Sequence, residues 1–202
     1  MFSDSQGASL VRLARQAVTD FLENKPKPVA DGGEKFGVFV TLNRLVNNEE
    51  QLRGCIGFPL PEMPVNESVI EAAIAAATQD PRFPAVTRKE LDSINFEVSL
   101  LTVPEEIKSN PQRYNENIKI GEDGLILRWR YGSGLLLPQV PVELGWDVDE
   151  YLTNICYKAG APSDAWLDKS SRLFKFQATI FKELEPSGRI ARLNLNSTNN
   201  IA

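Results

Sequence analysis

Apolar residues recur at helical spacing in three stretches of the chain. Over 9–24 they return every three or four positions and leave polar residues on the opposite side, which predicts a helix. A second helix is predicted over 68–78, an alanine-rich run in which Ser68 and Glu71 have the spacing of a capping box. Its alanines predict close packing against a sheet. A third helix is predicted over 149–159, ended by Gly160.

Other stretches alternate between apolar and polar residues and predict strands. The first is 36–42, which is followed by a turn at 47–51 and a partner strand over 52–58. The remaining predicted strands are 95–103, a hairpin across 118–130 with its turn at 121–124, a short strand over 134–138 and a long strand over 173–184. Strands outnumber helices and several are hairpin neighbours. The predicted class is therefore α+β, a two-part fold with a mainly antiparallel sheet flanked by helices.

Length and composition place the chain among ordinary globular proteins. Of its 202 residues, 42% are hydrophobic and 24% are charged. A chain of this length buries about 70% of the surface that its unfolded form exposes, enough for one large core or two smaller ones. Residues 1–184 are predicted to form a single domain, with two subdomains as the alternative arrangement. Residues 185–202 are polar and rich in Asn, and they are predicted to form a flexible tail.

The charge and the absence of histidine exclude several functions. Without imidazole there is no Ser-His-Asp triad, no Cys-His pair and no zinc site with histidine ligands. A net charge of −5 argues against nucleic-acid binding, although 128–131 interleaves arginines with aromatic residues. Asp147, Asp149 and Glu150 are predicted to mark the start of a helix, not a cation site. No metal and no cofactor are predicted.

The sequence also carries an expectation about location. The first 20 residues lack a basic segment followed by an uninterrupted apolar run, and no later run approaches the roughly 20 apolar residues that span a bilayer. A cytoplasmic protein without membrane contact is therefore expected. In a reducing cytosol, Cys55 and Cys156 are expected to be free thiols.

The most unusual segment is Leu-Arg-Gly-Cys-Ile-Gly at 52–57. Gly54 and Gly57 flank a thiol and would let a ligand approach the backbone, while Arg53 supplies positive charge that favours a thiolate. Alternation places Arg53 and Cys55 on the same face of a strand. Cys55 is thus a candidate nucleophile, with Arg53, Gly54 and Gly57 as candidate ligand-binding residues. Alternatively, Cys55 is a small buried apolar residue, the glycines permit close packing, and Arg53 pairs with a carboxylate.

A second segment, Asp-Pro-Arg-Phe-Pro at 80–84, follows the alanine-rich helix. Its prolines stiffen a loop that presents Arg82 beside Phe83, an arrangement suited to binding an anion or to stacking on a ring. Asp80, Arg82 and Phe83 are therefore candidate ligand-binding residues, with Asp80 orienting an arginine. In the structural alternative, Asp80 pairs with Arg82 and Phe83 fills the core.

These segments, together with several others, make the chain similar to a known family. The matching stretches are 37–42, 52–58, 80–84, 97–102, 121–126, 135–140, 145–147 and 158–160. They resemble the AMME syndrome candidate gene 1 protein family, and the Leu-Leu-Leu-Pro-Gln-Val of 135–140 resembles its archaeal branch. The resemblance implies a two-part α/β fold with sheets flanked by helices. It implies no established reaction, but it does imply a pathway shared with Memo-type and radical-SAM-type proteins.

Two functions of different classes follow. In the first, the 52–57 and 80–84 segments meet in a pocket that binds or acts on a small anionic ligand through Arg53 and Arg82, with Cys55 as nucleophile or close contact. In the second, the chain is a non-catalytic module that recognises a protein partner of the Memo-type or radical-SAM-type pathway through Arg82, Phe83 and Trp129. The sequence leaves open whether the protein is an enzyme.

Overall fold

The computed structural model describes residues 2–30, 32–47 and 49–194, and in these the fold is mixed α and β, as predicted. The α-helices are α1 (Asp4–Leu22), α2 (Val65–Thr78), α3 (Gln139–Leu144) and α4 (Val148–Lys158). The strands are β1 (Gly37–Val46), β2 (Glu49–Phe58), β3 (Ile94–Leu101), β4 (Glu105–Glu106), β5 (Asp123–Trp129), β6 (Gly132–Leu136), β7 (Arg172–Glu183) and β8 (Ile190–Arg192). They belong to an eight-stranded sheet, and short 3-10 helices occur at Arg88–Ser93, Pro111–Glu116 and Ala165–Leu167.

The described chain divides into two units, and the first contains the residues up to Leu101 together with Thr179–Asn194. In this unit β1 lies between β2 and β3 and pairs with both in antiparallel fashion, so β2 is the outer strand. Val40 of β1 is directly opposite Val98 of β3, and both are fully buried in a core that α1 and α2 complete. The apolar alternation that predicted these strands therefore marks the face that packs on the helices.

Helix α2 approaches the sheet closely, as its alanines predict. A Cβ atom built on Gly54 of β2 would lie 2.1 Å from the carbonyl oxygen of Ala76, so only glycine fits at this point of contact. The predicted start of the helix was wrong. Helix α2 begins at Val65 with Pro64 as its N-cap, and Ser68 is a buried residue inside the helix instead of its cap. Proline before the first helical residue suits the helix because it has no amide hydrogen to satisfy.

The second unit comprises Thr102–Ala178, with β5 between β6 and β7 in antiparallel pairing and α4 packed against β5 and β6. The predicted hairpin across 118–130 was wrong, because the hairpin is formed by β5 and β6. The backbone folds back before β5: the amide of Asp123 donates to the carbonyl of Lys119, and the Asp123 carboxylate accepts the Lys119 amide. This local ring of hydrogen bonds replaces the expected strand.

Regular structure extends beyond two of the predicted limits. Helix α1 begins at Asp4, five residues before the predicted start, because Ser3 and Gln6 form a capping box. Beyond Leu184, β8 pairs with β7, so a strand lies within the predicted tail. Residues 195–202 of that tail lie outside the described part of the chain.

Candidate functional site

A bulge interrupts the hexapeptide strand at its arginine. In the register of β1 and β2, Leu42 is opposite Gly54 and Asn43 is opposite Leu52, which leaves Arg53 without a partner. One extra residue on one strand resets the alternation of side chains. The two-residue period that placed Arg53 and Cys55 on one face therefore does not hold at Arg53.

Cys55 lies on the regular part of the strand, opposite Thr41. The Thr41 hydroxyl donates a hydrogen bond to Cys55 Sγ at 3.4 Å, and the thiol is partly buried. Burial raises the pKa of the Cys55 thiol above its ordinary value, and the Thr41 hydrogen bond only partly opposes this effect. The prediction that the glycines and Arg53 favour a thiolate was wrong, because desolvation outweighs the positive charge of Arg82, the arginine that acts on this thiol.

Asp80 joins the two segments that the sequence singled out. Its carboxylate accepts the Cys55 amide at 2.8 Å and the Arg82 amide at 3.1 Å. It also accepts Nε and Nη2 of Arg82, at 2.9 and 2.7 Å. The hydrogen bonds from the Arg82 side chain hold the pKa of Asp80 well below its usual range, although burial opposes them. The hexapeptide and the 80–84 loop are therefore linked by one ionised, buried carboxylate.

Arg53 forms a second, similar pair with Glu90. The Glu90 carboxylate accepts Arg53 Nε at 3.1 Å and Nη2 at 3.4 Å, and Arg53 is buried. Burial opposes ionisation of Glu90, yet hydrogen bonds from Thr87 and Arg53 hold its pKa below the ordinary value. The remaining terminal nitrogen of Arg53, Nη1, is buried and has no hydrogen-bond partner.

The ring of Phe83 lies against both arginines. The guanidinium carbon of Arg53 is 5.9 Å from the ring centroid and that of Arg82 is 5.4 Å from it, both within the range of cation–π attraction. Phe83 is partly exposed, so it does not fill the core as the structural alternative predicted. We refer to Arg53, Arg82, Phe83 and the two carboxylates Asp80 and Glu90 as the arginine cluster.

The two glycines of the hexapeptide make room for the protein's own atoms. Gly54 faces the backbone of α2, as described above. A Cβ atom on Gly57 would lie 2.4 Å from the ring of Phe39 and 2.3 Å from the carbonyl oxygen of Val38. Close packing within the unit therefore accounts for both glycines, which remain candidate ligand-binding residues only by their proximity to Cys55.

Sequence reasoning missed three residues that contact or influence the site. Glu90 was detectable, because Thr87 and Glu90 have capping-box spacing and form that box at the start of the 3-10 helix. Thr41 and Glu97 face each other across β1 and β3, and Glu97 is buried. The negative charge of Glu97 raises the pKa of Cys55 further. Only the register of three strands brings these residues together.

Two further observations concern the described residues alone. In 2–30, 32–47 and 49–194, no group of three or more Cys, Asp and Glu side chains is arranged to hold a metal ion. None of the helices described there has the length and apolar character needed to cross a membrane.

Comparison with known proteins covers nearly the whole chain. A protein of Methanocaldococcus jannaschii is 51% identical over 196 residues, which are 94% of this chain and 96% of that protein. A protein of Thermococcus onnurineus is 50% identical over 196 residues, which again are 94% of this chain and 96% of that protein. The crystal structure of an uncharacterized Pyrococcus horikoshii protein is 48% identical with a TM-score of 0.91, covering 96% of this chain and 98% of that one.

The family comparison agrees with these relatives. The AMMECR1 family model matches residues 11–181, a range that includes both the hexapeptide and the 80–84 loop. The relatives are archaeal, as the sequence of 135–140 predicted. By this match and by these identities, the chain belongs to the AMMECR1 family.

Proposed function

We propose that the protein binds a small anionic ligand, a carboxylate or a phosphate, at the arginine cluster. The observation that carries this proposal is the buried Nη1 of Arg53, which has no hydrogen-bond partner. A buried donor without an acceptor costs about 1–3 kcal/mol, and more when it is charged. An oxygen atom of a bound anion would satisfy this nitrogen with a charge-assisted hydrogen bond.

The two arginines are held in the same way, which supports a shared ligand. In each arginine, Nε and Nη2 donate hydrogen bonds to the partner carboxylate, and Nη1 remains as a donor for another acceptor. The Arg82 side chain is 48% exposed, so a ligand can reach its guanidinium from solvent. Asp80 already orients Arg82, which lowers the side-chain entropy cost of binding there. Nη1 of Arg53 is closed to solvent, so the ligand reaches it only when neighbouring side chains move.

The charge balance defines the kind of anion. Asp80 and Glu90 each offset one arginine, so the cluster attracts ligands mainly through directed hydrogen bonds and less through net charge. A planar carboxylate or a phosphate oxygen pair matches the geometry of a guanidinium edge. We therefore favour a small ligand with at least two oxygens on one charged group over a chloride-like ion.

Cys55 fits this proposal as a contact and less well as a nucleophile. Its raised pKa keeps the thiol protonated at neutral pH, and a protonated thiol attacks electrophiles poorly. A neutral thiol beside Asp80 and Arg82 can still touch a bound ligand. Ligand binding, without covalent chemistry at sulfur, is thus the function that we propose.

The test is anion-dependent stabilisation of matched variants. Inorganic phosphate and sodium acetate would be titrated into the wild type, Arg53→Lys and Arg88→Lys, with thermal unfolding and calorimetry as readouts. Arg53→Lys keeps the charge beside Glu90 but removes Nη1, whereas Arg88 is a half-exposed arginine paired with Glu23. We expect an anion at 100 times its Kd to stabilise wild type and Arg88→Lys by about 2.7 kcal/mol.

Arg53→Lys should lose this response while remaining folded. Equal stabilisation of Arg53→Lys and wild type would overturn the proposal. So would the absence of any response of the wild type to both anions.

The exposure of the 80–84 loop favours a second candidate, the non-catalytic interaction module. Pro81, Arg82 and Pro84 are exposed and form a stiff surface segment. The resemblance suggests Memo-type or radical-SAM-type partners. Biolayer interferometry with a purified Memo-type protein would test this function: Arg82→Ala should weaken binding and Arg88→Ala should not. Binding that is equal in both variants would reject it.

A further inference from the structure

The second unit carries another set of arginines and aromatic rings, near the end of β5 that leads into β6. Arg128 of β5 is directly opposite Arg172 of β7. Both guanidinium groups lie over the ring of Phe174, at 4.9 and 5.2 Å from its centroid. Like charges directly opposite each other on a sheet are destabilising, so this pair calls for a compensating negative charge.

The neighbouring turn adds a third arginine. Arg130 lies over the ring of Tyr131 at 4.8 Å, and the Tyr131 ring meets Trp129 edge-on at 5.0 Å. Trp129 is fixed in turn, because its Nε1–H donates to the carbonyl of Ala159 at 2.9 Å. Tyr131 is 74% exposed. The turn therefore presents a cation and a large ring to solvent from a fixed position.

The acidic residues nearby only partly balance this charge. Glu106 accepts Nε and Nη2 of Arg172 at 2.8 and 2.6 Å, and Lys108 lies close enough to influence Glu106. The Asp168 carboxylate accepts hydrogen bonds from the amide and hydroxyl of Ser170, which lower its pKa, and the positive charge of Arg130 helps to lower that pKa further. Among the described residues, no carboxylate lies within 4.0 Å of the guanidinium groups of Arg128 or Arg130.

We define the basic patch as Arg128, Arg130, Tyr131, Arg172 and Phe174. It is a local excess of positive charge in a chain whose net charge is −5. Its three arginines are exposed. A positively charged patch on a protein of net negative charge attracts a negatively charged partner and sets the orientation in which that partner binds.

We propose that the basic patch docks an acidic segment of a partner protein, a stretch rich in Asp and Glu. Guanidinium edges match carboxylates in paired hydrogen bonds, and arginine with tyrosine is a typical anchor combination at protein interfaces. Bound carboxylates would also relieve the repulsion between Arg128 and Arg172. This inference is independent of the anion site proposed at the arginine cluster.

The aromatic rings favour an acidic peptide over single-stranded nucleic acid. Proteins that bind single strands stack bases on open ring faces. Here two guanidinium groups lie over Phe174, and a third lies over Tyr131. Guanidinium groups thus already stack on both rings, and the donor edges of Arg128 and Arg130 remain for carboxylates, whereas Glu106 already accepts Nε and Nη2 of Arg172.

Fluorescence anisotropy with a labelled poly-glutamate peptide tests the proposal on the full chain at low salt. The test protein is a double variant that carries both Arg128→Glu and Arg130→Glu. The control is Arg113→Glu, which replaces an exposed arginine of the same unit that pairs with Glu116. We expect the double variant to weaken binding by about tenfold or more, whereas the control stays within about twofold of the wild type. Circular dichroism verifies that each variant is folded.

The other outcomes overturn the proposal. An equal loss in the control would show that net charge alone governs binding. A labelled poly-dT strand that binds more tightly than the peptide, and loses binding in the double variant, would assign the surface to nucleic acid. A wild-type dimer in sedimentation that the double variant makes monomeric would assign it to a second copy. No binding of the peptide by the wild type would also reject the proposal.

Discussion

Replacing Asp80 by Asn tests how the two segments of the site are joined. The Asp80 carboxylate is buried and accepts hydrogen bonds from the Cys55 amide and from the amide, Nε and Nη2 of Arg82. Asn keeps one acceptor oxygen but turns an amide NH₂ toward these donors. Hydrogen bonds to a charged group contribute about 1.5–3 kcal/mol, and solvent around the half-exposed Arg82 screens part of this. We expect Asp80→Asn to lower the free energy of unfolding by about 2–3 kcal/mol.

Urea unfolding at pH 7 would measure this loss, with Asp92→Asn as the matched control. The Asp92 side chain is 90% exposed and lies 3.9 Å from Arg88. Its replacement should change the free energy of unfolding by less than about 0.5 kcal/mol. An Asp80→Asn variant as stable as this control would refute the view that the carboxylate joins the segments.

The pH dependence gives a second check. Because the folded-state pKa of Asp80 is lowered, its stabilising effect is fully present above the unfolded pKa of about 3.9 and is lost as the pH falls toward the folded value. The stability difference between wild type and Asp80→Asn should therefore be constant from about pH 5 to pH 7 and shrink below about pH 4. A difference that grows in acid would contradict this reasoning.

Three further predictions address single contacts. Gly54→Ala should lower the free energy of unfolding by at least about 1–3 kcal/mol, because its Cβ meets the Ala76 carbonyl; an unchanged Tm would refute the close approach. Iodoacetamide should label Cys55 more slowly than a cysteine peptide at pH 7, because the pKa of Cys55 is raised, and it should label the fully buried Cys156 only upon unfolding. Mass spectrometry would measure the labelling, and rapid labelling of either thiol in the folded protein at pH 7 would contradict this prediction. Tyr151→Phe should cost about 1 kcal/mol in urea unfolding, because the buried hydroxyl contacts backbone carbonyls, and an equally stable variant would argue against that hydrogen bond.

The fold was predictable where the apolar pattern was long. The 36–42 and 173–184 patterns predicted β1 and β7, because one face of each strand packs on a core. The hairpin was misplaced because glycines and acids at 121–124 are typical of a hairpin turn. There the Asp123 carboxylate instead bonds the backbone of Lys119, a local contact that apolar alternation does not encode.

The site was predictable in its residues more than in its electrostatics. The structure places the hexapeptide and the 80–84 loop in contact through Asp80, and their residue types alone suggested this meeting. The bulge at Arg53 was not foreseeable, because it depends on the register between two strands. The raised pKa of Cys55 was not foreseeable either, since burial is set by residues far away in the chain. Ligand binding by these residues stays a prediction.

The hydrogen bond from the Cys55 amide to Asp80 has a consequence for solubility. Outer strands such as β2 expose amides that another chain can use to extend the sheet, which is a common route to aggregation. The Asp80 carboxylate occupies one such amide and brings a negative charge to that edge. An incoming strand would have to displace the carboxylate from the Cys55 amide before it could pair there. The same carboxylate that organises the arginine cluster thus also covers one amide on the outer edge of β2.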